Sequence, residues 1–257
     1  MRVAAFVTPH GFGHAGRASA VLDALHARRP DLAATLFTTV PEAFFQGSLA
    51  APWQRVPLVP DVGMVQTSAL GVDLAATARE LAAFLDDLPR RAAEAADAVR
   101  RAACDVVLCD IAPLGIEAAR LAGVPSVLVE NFTWDWIYEP LVEDEPALAP
   151  PRVRLSRLYA AADLHVQAEP VGKPDPGAVR VPPVARAPRR PRDEARRALG
   201  LADGERAVIH RGRMLHAWKA GSHPPLGAAL QPDPAQAPPV PPDVLAAEEA
   251  HLLWRWM

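Results

Sequence analysis

The stretch MRVAAFVTPHGFGHAGRASAVLDAL (residues 1–25) decides the fold of this chain. Its short apolar run, Val3 to Val7, predicts a β-strand that leads into a glycine-rich turn carrying His10 and His14. From Ala15 onward, apolar residues recur at three- and four-residue spacing, which predicts an amphipathic helix. A strand, a glycine turn and a helix in this order place backbone and side chains near a ligand at the carboxyl edge of an α/β sheet. A histidine within such a turn is a candidate for chemistry as well as for binding.

Later segments repeat this alternation. Strands are predicted at 33–39, 105–109, 125–129 and 164–168, and the run 105–109 is of the buried parallel kind. Helices are predicted at 74–88, from Pro89 to about Ala103, and from Pro113 to a stop at Gly123. A short helix at 193–199 and a strand near 207–209 follow. The prolines in residues 56–60 favour an edge strand or a loop there. The order of elements predicts an α/β fold with a doubly wound, Rossmann-like parallel sheet and helices on both faces.

Composition narrows the class of protein. The chain has 257 residues, half of them apolar, and its formal net charge of -3 provides no electrostatic footprint for nucleic acid. Cys104 and Cys109 are too few for a structural zinc site and are predicted to be core residues of a reduced protein. No run approaches the roughly 20 apolar residues of a membrane-spanning helix, and the N-terminus lacks signal-peptide features. We expect a cytoplasmic protein with no integral membrane segment, while peripheral contact with a membrane stays open.

Three regions are predicted along the chain. Residues 1–180 form the α/β domain, and residues 181–210, rich in proline and arginine, form a linker and the start of a second domain. Residues 211–257 carry eight prolines and three tryptophans without a sustained apolar period, which predicts an irregular, disordered or frame-shifted tail. The alternatives are a natural flexible tail, a reading frame lost near residue 208 so that a second domain is missing, and a small module of unknown type.

The turn Gly11–Gly16 matches the dinucleotide-binding pattern G-x-G-x-x-G. That pattern also requires a carboxylate at the end of the second strand, and here none occurs before Glu42. An NAD(P)-dependent oxidoreductase is therefore the least favoured interpretation. A glycine turn that serves only close helix–sheet packing is another.

A resemblance gives a third interpretation. His10-Gly11-Phe12-Gly13-His14 followed by Arg17, and Asp105–Asp110 followed by Gly123-Val124-Pro125 and Asn131, resemble the N-terminal domain of GT-B glycosyltransferases. The similarity is closest to the group containing the N-acetylglucosaminyltransferase of the peptidoglycan precursor, and extends to the glycosyltransferase-like half of plant arabinose kinase. It covers residues 1 to about 200.

The resemblance implies specific roles. His14 would be the catalytic base that takes a proton from an acceptor hydroxyl, and Asp110 would orient it. An acceptor site would include Gly11, Phe12, Gly13, Arg17, Asn131 and Trp134. The resemblance also implies that no metal is needed, since GT-B enzymes generally position the diphosphate with protein groups. No cofactor is expected either, because the nucleotide-diphosphate sugar is a co-substrate.

Chemistry supports the same pair, because histidine titrates near neutral pH and both residues follow strands that end at one sheet edge. His14 as an ordinary helix-start residue and Asp110 as a helix N-cap are the alternatives.

The chain departs from the two-domain pattern of GT-B glycosyltransferases in its second domain. Only 47 residues follow His210, whereas a donor-binding domain needs about 150. We therefore expect a glycosyltransferase-like protein that is partial or inactive as this chain. Its partners would be a sugar or lipid-linked acceptor, and a nucleotide sugar if a donor domain is supplied. The alternative is a non-catalytic acceptor-binding or regulatory module.

Overall fold

Seven strands, all paired in parallel, form the central sheet of the protein. In chain order they are β1 (Arg2–Val7), β2 (Ala33–Phe37), β3 (Trp53–Val56), β4 (Val106–Asp110), β5 (Ser126–Glu130), β6 (Leu164–Ala168) and β7 (Val179–Val181). Their spatial order is β3-β2-β1-β4-β5-β6-β7. The chain winds outward in one direction from β1 and then in the other from β4, so the predicted doubly wound sheet is confirmed.

The computed structural model describes residues 1–67, 71–188, 190–202, 206–210 and 213–218, the last two ranges by their backbone alone. The sheet belongs to one compact unit, Met1–His10 and His14–Arg186. Its helices are α1 (Phe12–Arg28), α2 (Glu42–Gln46), α3 (Leu74–Arg101), α4 (Pro113–Ala122), α5 (Trp134–Tyr138) and α6 (Ala149–Ala160), with 3₁₀ turns at Pro140–Val142 and Pro146–Leu148.

A second unit takes in Gly11–Gly13 and the described residues from Ala187 onward. It contains α7 (Arg192–Ala198) and an antiparallel pair of strands, β8 (Arg206–His210) and β9 (Arg213–Trp218). A strand near 207–209 is predicted from the sequence, whereas β9 is not. Most of the predicted tail, residues 219–257, lies outside the described residues, so the division at 180 and 210 stays a prediction.

The core lies between the sheet and its helices. Phe6 of β1 stacks on Phe37 of β2 with ring centroids 4.4 Å apart, and both rings are fully buried. Helix α4 lies so close to the sheet at Gly115 that a Cβ there would be 2.7 Å from both Cys109 Sγ and the Phe6 ring. Cys109 and Cys104 are buried and form no disulfide, as expected of core cysteines.

Helix α3 corrects one prediction, because residues 74–101 form a single helix with Pro89 in its interior. A proline cannot donate a hydrogen bond to the carbonyl four residues earlier, here that of Leu85. Arg154 of α6 replaces the missing donor: its Nη2 donates to the Leu85 carbonyl at 2.5 Å, and its Nη1 donates to Asp86. A donor from another helix thus compensates for the proline.

The glycine-rich segment is also more helical than predicted. Helix α1 begins at Phe12 rather than near Ala15, so Gly13 and Gly16 are helical residues. Gly11, just before the helix, has a positive φ of 117° and is the glycine of this segment whose backbone shape needs the absence of a side chain.

Strands β3 and β7 and helices α2, α5 and α6 were not predicted, because their segments are short or rich in proline. Within the described ranges, no helix combines the length and the apolar character needed to cross a bilayer.

Candidate functional site

The site lies at the carboxyl edge of the sheet, where β1 and β4 are neighbours. Their register pairs Val7, the last residue of β1, with Asp110, the last residue of β4. After β1 the chain continues to β2 on one side of this pair, and after β4 it continues to β5 on the other side. Open α/β sheets form ligand crevices at such a switch point. His14 and Arg17, one turn apart on α1, and Asn131, just after β5, lie at the same edge.

His14 and Asp110 are in direct contact. His14 Nδ1 lies 2.7 Å from Asp110 Oδ1, and the two side chains are 11% and 1% exposed. A carboxylate only accepts, so in this contact Nδ1 carries the proton and donates it. In the neutral ring Nε2 is then a free acceptor, and no group in the described part of the chain hydrogen-bonds it. The ring has the tautomer that a general base at Nε2 requires.

Arg17 forms a two-pronged ion pair with the same carboxylate. Its Nε donates to Asp110 Oδ2 and its Nη2 to Oδ1, both at 2.7 Å. The third nitrogen, Nη1, donates to Asn131 Oδ1 at 2.6 Å. Parallel N–H bonds of this kind fix orientation as well as charge. Arg17 therefore links three elements, α1, β4 and the segment after β5.

Asp110 and Arg17 are both ionised. Burial works to raise the pKa of Asp110, but the charge and hydrogen bonds of Arg17, with the bond from His14, hold that pKa below its usual value. Burial works to lower the pKa of Arg17, but the charge and hydrogen bonds of Asp110 and the charge of Glu130 together outweigh it, so that pKa is raised. Both shifts favour the ion pair.

The backbone beside Asp110 is strained. Ile111 has φ of +46°, a left-handed conformation that β-branched residues rarely adopt, and it is fully buried. Its carbonyl accepts a hydrogen bond from the Tyr159 hydroxyl at 3.0 Å. Strain of this kind costs about 1–3 kcal/mol and is concentrated at functional sites. The helix after it has its N-cap at Ala112 with no side-chain hydrogen bond, so the interpretation of Asp110 as an N-cap is wrong.

A second carboxylate and imidazole, Asp61 and His10, lie near each other, and of the two only His10 stands out in the sequence. Asp61 is fully buried on the loop after β3 and accepts from the Trp134 indole at 2.9 Å. His10 Nε2 lies 3.9 Å from Asp61 Oδ1 and accepts from the Gly63 backbone N–H at 2.7 Å. Burial raises the pKa of Asp61, against the opposing effects of His10 and the Trp134 hydrogen bond. A single aspartate in a proline-rich loop carries no sequence signal for this contact.

Aromatic rings connect the two histidines. Phe132 meets His14 edge-on with ring centroids 5.7 Å apart, and it meets Trp134 in the same manner at 5.9 Å. Trp134 in turn meets the ring of His10 at 5.4 Å. The row of rings follows the segment after β5, where the density of aromatic residues is visible in the sequence.

Beside the site, His165 of β6 has carboxylates at both ring nitrogens. Its Nε2 lies 2.8 Å from Glu130 Oε1 and its Nδ1 lies 3.0 Å from Asp175 Oδ2. Gln167 also donates to Glu130, at 2.6 Å. No sequence pattern groups these residues; the pairing of β5 with β6 and the loop after β6 bring them together. In the described residues no group of three or more His, Cys, Asp or Glu side chains is placed to hold a metal ion.

Four of the eight predicted site residues, His14, Arg17, Asp110 and Asn131, are brought into one hydrogen-bonded cluster. Trp134 is 7% exposed, and its indole N–H is bound to Asp61. Gly11, Phe12 and Gly13 precede His14 directly and are assigned to the second unit. The catalytic and acceptor-binding roles of all eight residues stay predictions.

The chain is similar to an L-arabinokinase of Arabidopsis thaliana, with 31% identity over 217 residues that cover 79% of this chain and 20% of the relative. The chain thus spans about a fifth of the length of that protein. No family model matches the chain.

Solved structures similar to the chain include Acinetobacter baumannii MurG, with 16% identity, 73% of this chain and 46% of that chain covered, and a TM-score of 0.41. Phytolacca americana UGT2, solved with UDP-2fluoro-glucose and pterostilbene, has 15% identity, coverage of 79% and 58%, and a TM-score of 0.48. A UDP-glucosyltransferase from Polygonum tinctorium has 16% identity, coverage of 79% and 56%, and a TM-score of 0.48. The resemblance predicted from the sequence is confirmed: this chain is similar to glycosyltransferases of known structure and to a plant L-arabinokinase.

Proposed function

We propose that this chain is the acceptor-binding part of a sugar-transferring protein, with His14 as the general base. The observation that carries the proposal is the contact of His14 Nδ1 with Asp110 at 2.7 Å, which leaves Nε2 as the proton acceptor at the switch point of the sheet. A hydroxyl is a weak nucleophile at neutral pH, and a positioned base typically contributes about 10²–10⁴-fold to its reaction.

The proposed step is a single displacement. The acceptor hydroxyl oxygen forms a bond to the anomeric carbon of the donor sugar while its proton moves to Nε2 of His14. The bond from the anomeric carbon to the diphosphate breaks, and the nucleoside diphosphate leaves with the bonding electrons. Asp110 stabilises the imidazolium that forms, as an aspartate does in other catalytic pairs with histidine.

An acceptor would meet the segment after β5. Asn131 and Trp134 lie there, with Phe132 at the edge of the His14 ring. Gly11 and the first two residues of α1, Phe12 and Gly13, are proposed to bind the acceptor as well. The nucleotide sugar would be bound by a donor domain, whether in the same protein or in a partner chain.

The test is release of UDP from UDP-glucose, measured with the full chain supplied with a UDP-glucose-binding donor domain and a panel of sugar acceptors that includes L-arabinose, the sugar in the name of the relative. Acceptor-dependent release is expected to fall about 10²-fold or more in His14→Ala. His26→Ala, in the last turn of the same helix, is the matched control and is expected to keep the activity.

The other outcomes separate the remaining functions. Binding of an acceptor by calorimetry without any UDP release supports a non-catalytic acceptor-binding or regulatory module. Release that persists unchanged in His14→Ala contradicts the role of His14. Affinity for NAD(H) or NADP(H) with none for a sugar or nucleotide sugar supports an oxidoreductase instead.

A further inference from the structure

We infer that Arg17 is a positioning residue, which acts through Asp110 to keep the His14 ring neutral with its proton on Nδ1. The inference rests on the proposed function for its chemical meaning, while the contacts that carry it are independent of any substrate. The sequence alone suggests a different role for Arg17, contact with an acceptor.

One oxygen of Asp110, Oδ1, is shared by His14 and Arg17. This oxygen accepts from both His14 Nδ1 and Arg17 Nη2, each at 2.7 Å, and the two nitrogens are 3.3 Å apart. Arginine is a donor only, and Nδ1 is already donating to Asp110, so neither nitrogen accepts from the other. The shared oxygen therefore holds two N–H groups side by side, and the proton on His14 is fixed at Nδ1.

The charges of the cluster balance when the His14 ring is neutral. With a neutral ring, Arg17 and Asp110 cancel, and the cluster as a whole carries no net charge. A protonated ring would add a second cation next to the guanidinium, with one carboxylate to serve both, where the side chains of His14 and Arg17 are 11% and 10% exposed. Like charges at this distance disfavour the charged form of a titrating group.

Other charged groups near the cluster do not change this balance. Glu130 of β5 acts on Arg17 and stabilises its charge. Asp61, on the loop after β3, is near enough to His14 for a weak mutual effect, but burial raises the pKa of Asp61 and favours its neutral form. Among the described residues, Asp110 is the charged group that accepts a hydrogen bond from the ring, and Arg17 Nη2 lies 3.3 Å from Nδ1 without a hydrogen bond to it.

Arg17 is anchored on every nitrogen of its guanidinium group. All three guanidinium nitrogens are used within the protein, two by Asp110 and one by Asn131. The Asn131 carbonyl is itself tied to the next loop, since it accepts from the Gly172 N–H at 2.7 Å. The guanidinium is thus held in one orientation, and a lysine could not reproduce its three bonds because its single nitrogen cannot span both partners.

The consequence is a base that is unprotonated before the acceptor arrives. An aspartate alone beside a histidine would stabilise the imidazolium in the resting protein. With Arg17 in place, the attraction of Asp110 is shared, and His14 is available to take a proton at Nε2.

The experiment is nitrogen-15 NMR of the histidine rings in the full chain at about pH 7, where ring nitrogens report both protonation and tautomer. His14→Gln identifies the His14 signals by their loss. In Arg17→Met the ratio of protonated to neutral His14 is expected to rise about tenfold or more. Arg28→Met, which removes an arginine from the last turn of the same helix, is expected to leave the signals unchanged.

Arg17→Lys separates charge from geometry. The charge is retained, so the ring is expected to stay largely neutral, but the proportion with the proton on Nδ1 falls because Asp110 is no longer fixed. If Arg17→Met does not fold, this variant decides the question. His14 signals identical to wild type in the folded Arg17 variants overturn the inference. The measurement needs no sugar, so absence of transferase activity when a donor domain is supplied refutes the proposed function and leaves this result standing.

Discussion

Gly115→Ala tests how closely helix α4 is packed onto the strands that carry the site. A Cβ at this position would lie 2.7 Å from Cys109 Sγ and Phe6 Cγ, and 2.8 Å from Phe6 Cβ. Neither neighbour has room to move, because both are fully buried and the Phe6 ring is stacked on Phe37. The extra methyl group must therefore push the helix away from the sheet.

The magnitude follows from two opposing terms. Overpacking a well-filled core costs about 1–3 kcal/mol, and the absence of room favours the upper end. Alanine in place of glycine returns at most about 1 kcal/mol through helix propensity. The net loss in the free energy of unfolding is about 2 kcal/mol, or a melting temperature lower by about 4–8 °C for a chain of this size.

The assay is urea unfolding of the full chain, followed by far-ultraviolet circular dichroism. Gly16→Ala is the matched control, because it is also a helical glycine and its nearest neighbour would be Arg186 Nε at a comfortable 3.7 Å. This variant is expected to be as stable as wild type or more so, by up to about 1 kcal/mol. Equal stability of Gly115→Ala and Gly16→Ala would refute the close packing of α4.

Three further predictions concern side chains around the site and helix α3. The depressed pKa of Asp110 contributes stability that is present above its unfolded value of about 4 and is lost as the pH falls through the folded value, so acid unfolding followed from pH 6 downward should be steeper in wild type than in Asp110→Asn. Gly63→Ala should displace the His10 ring, because a Cβ at residue 63 would lie 2.7 Å from it; an unchanged His10 signal in ring NMR would contradict this. Arg154→Met should cost about 1 kcal/mol in urea unfolding, and less in a Pro89→Ala background, where the helix supplies its own donor; equal costs in both backgrounds would show that the arginine does not replace the missing bond.

The fold was largely predictable because its buried strands are continuous apolar runs. The run 105–109 and its neighbours give β4, β5 and β6 within a residue or so, since a parallel strand covered on both faces has few polar residues. The helix boundary predicted at Pro89 was wrong. The donor that the proline lacks comes from Arg154, a residue far along the chain that no local pattern connects to Pro89.

The site was predictable in part for the same reason. His14 and Asp110 follow strands whose ends meet at one edge, so their approach could be inferred from topology. The use of Arg17 by Asp110 and Asn131 could not, because it depends on side-chain directions across three elements. Asp61 and the carboxylates around His165 lie in loops and strands whose sequences look ordinary.

The contact between Gly63 and the His10 ring ties these two positions together over evolutionary time. While a ring occupies position 10, any side chain at position 63 collides with it, so a relative that keeps the histidine is expected to keep the glycine. Once the ring is lost, the constraint on position 63 disappears and larger residues can enter. Substitutions at positions 10 and 63 are therefore expected to occur together in related sequences. Relatives that keep both residues are expected to keep the contact between the loop after β3 and the segment after β1.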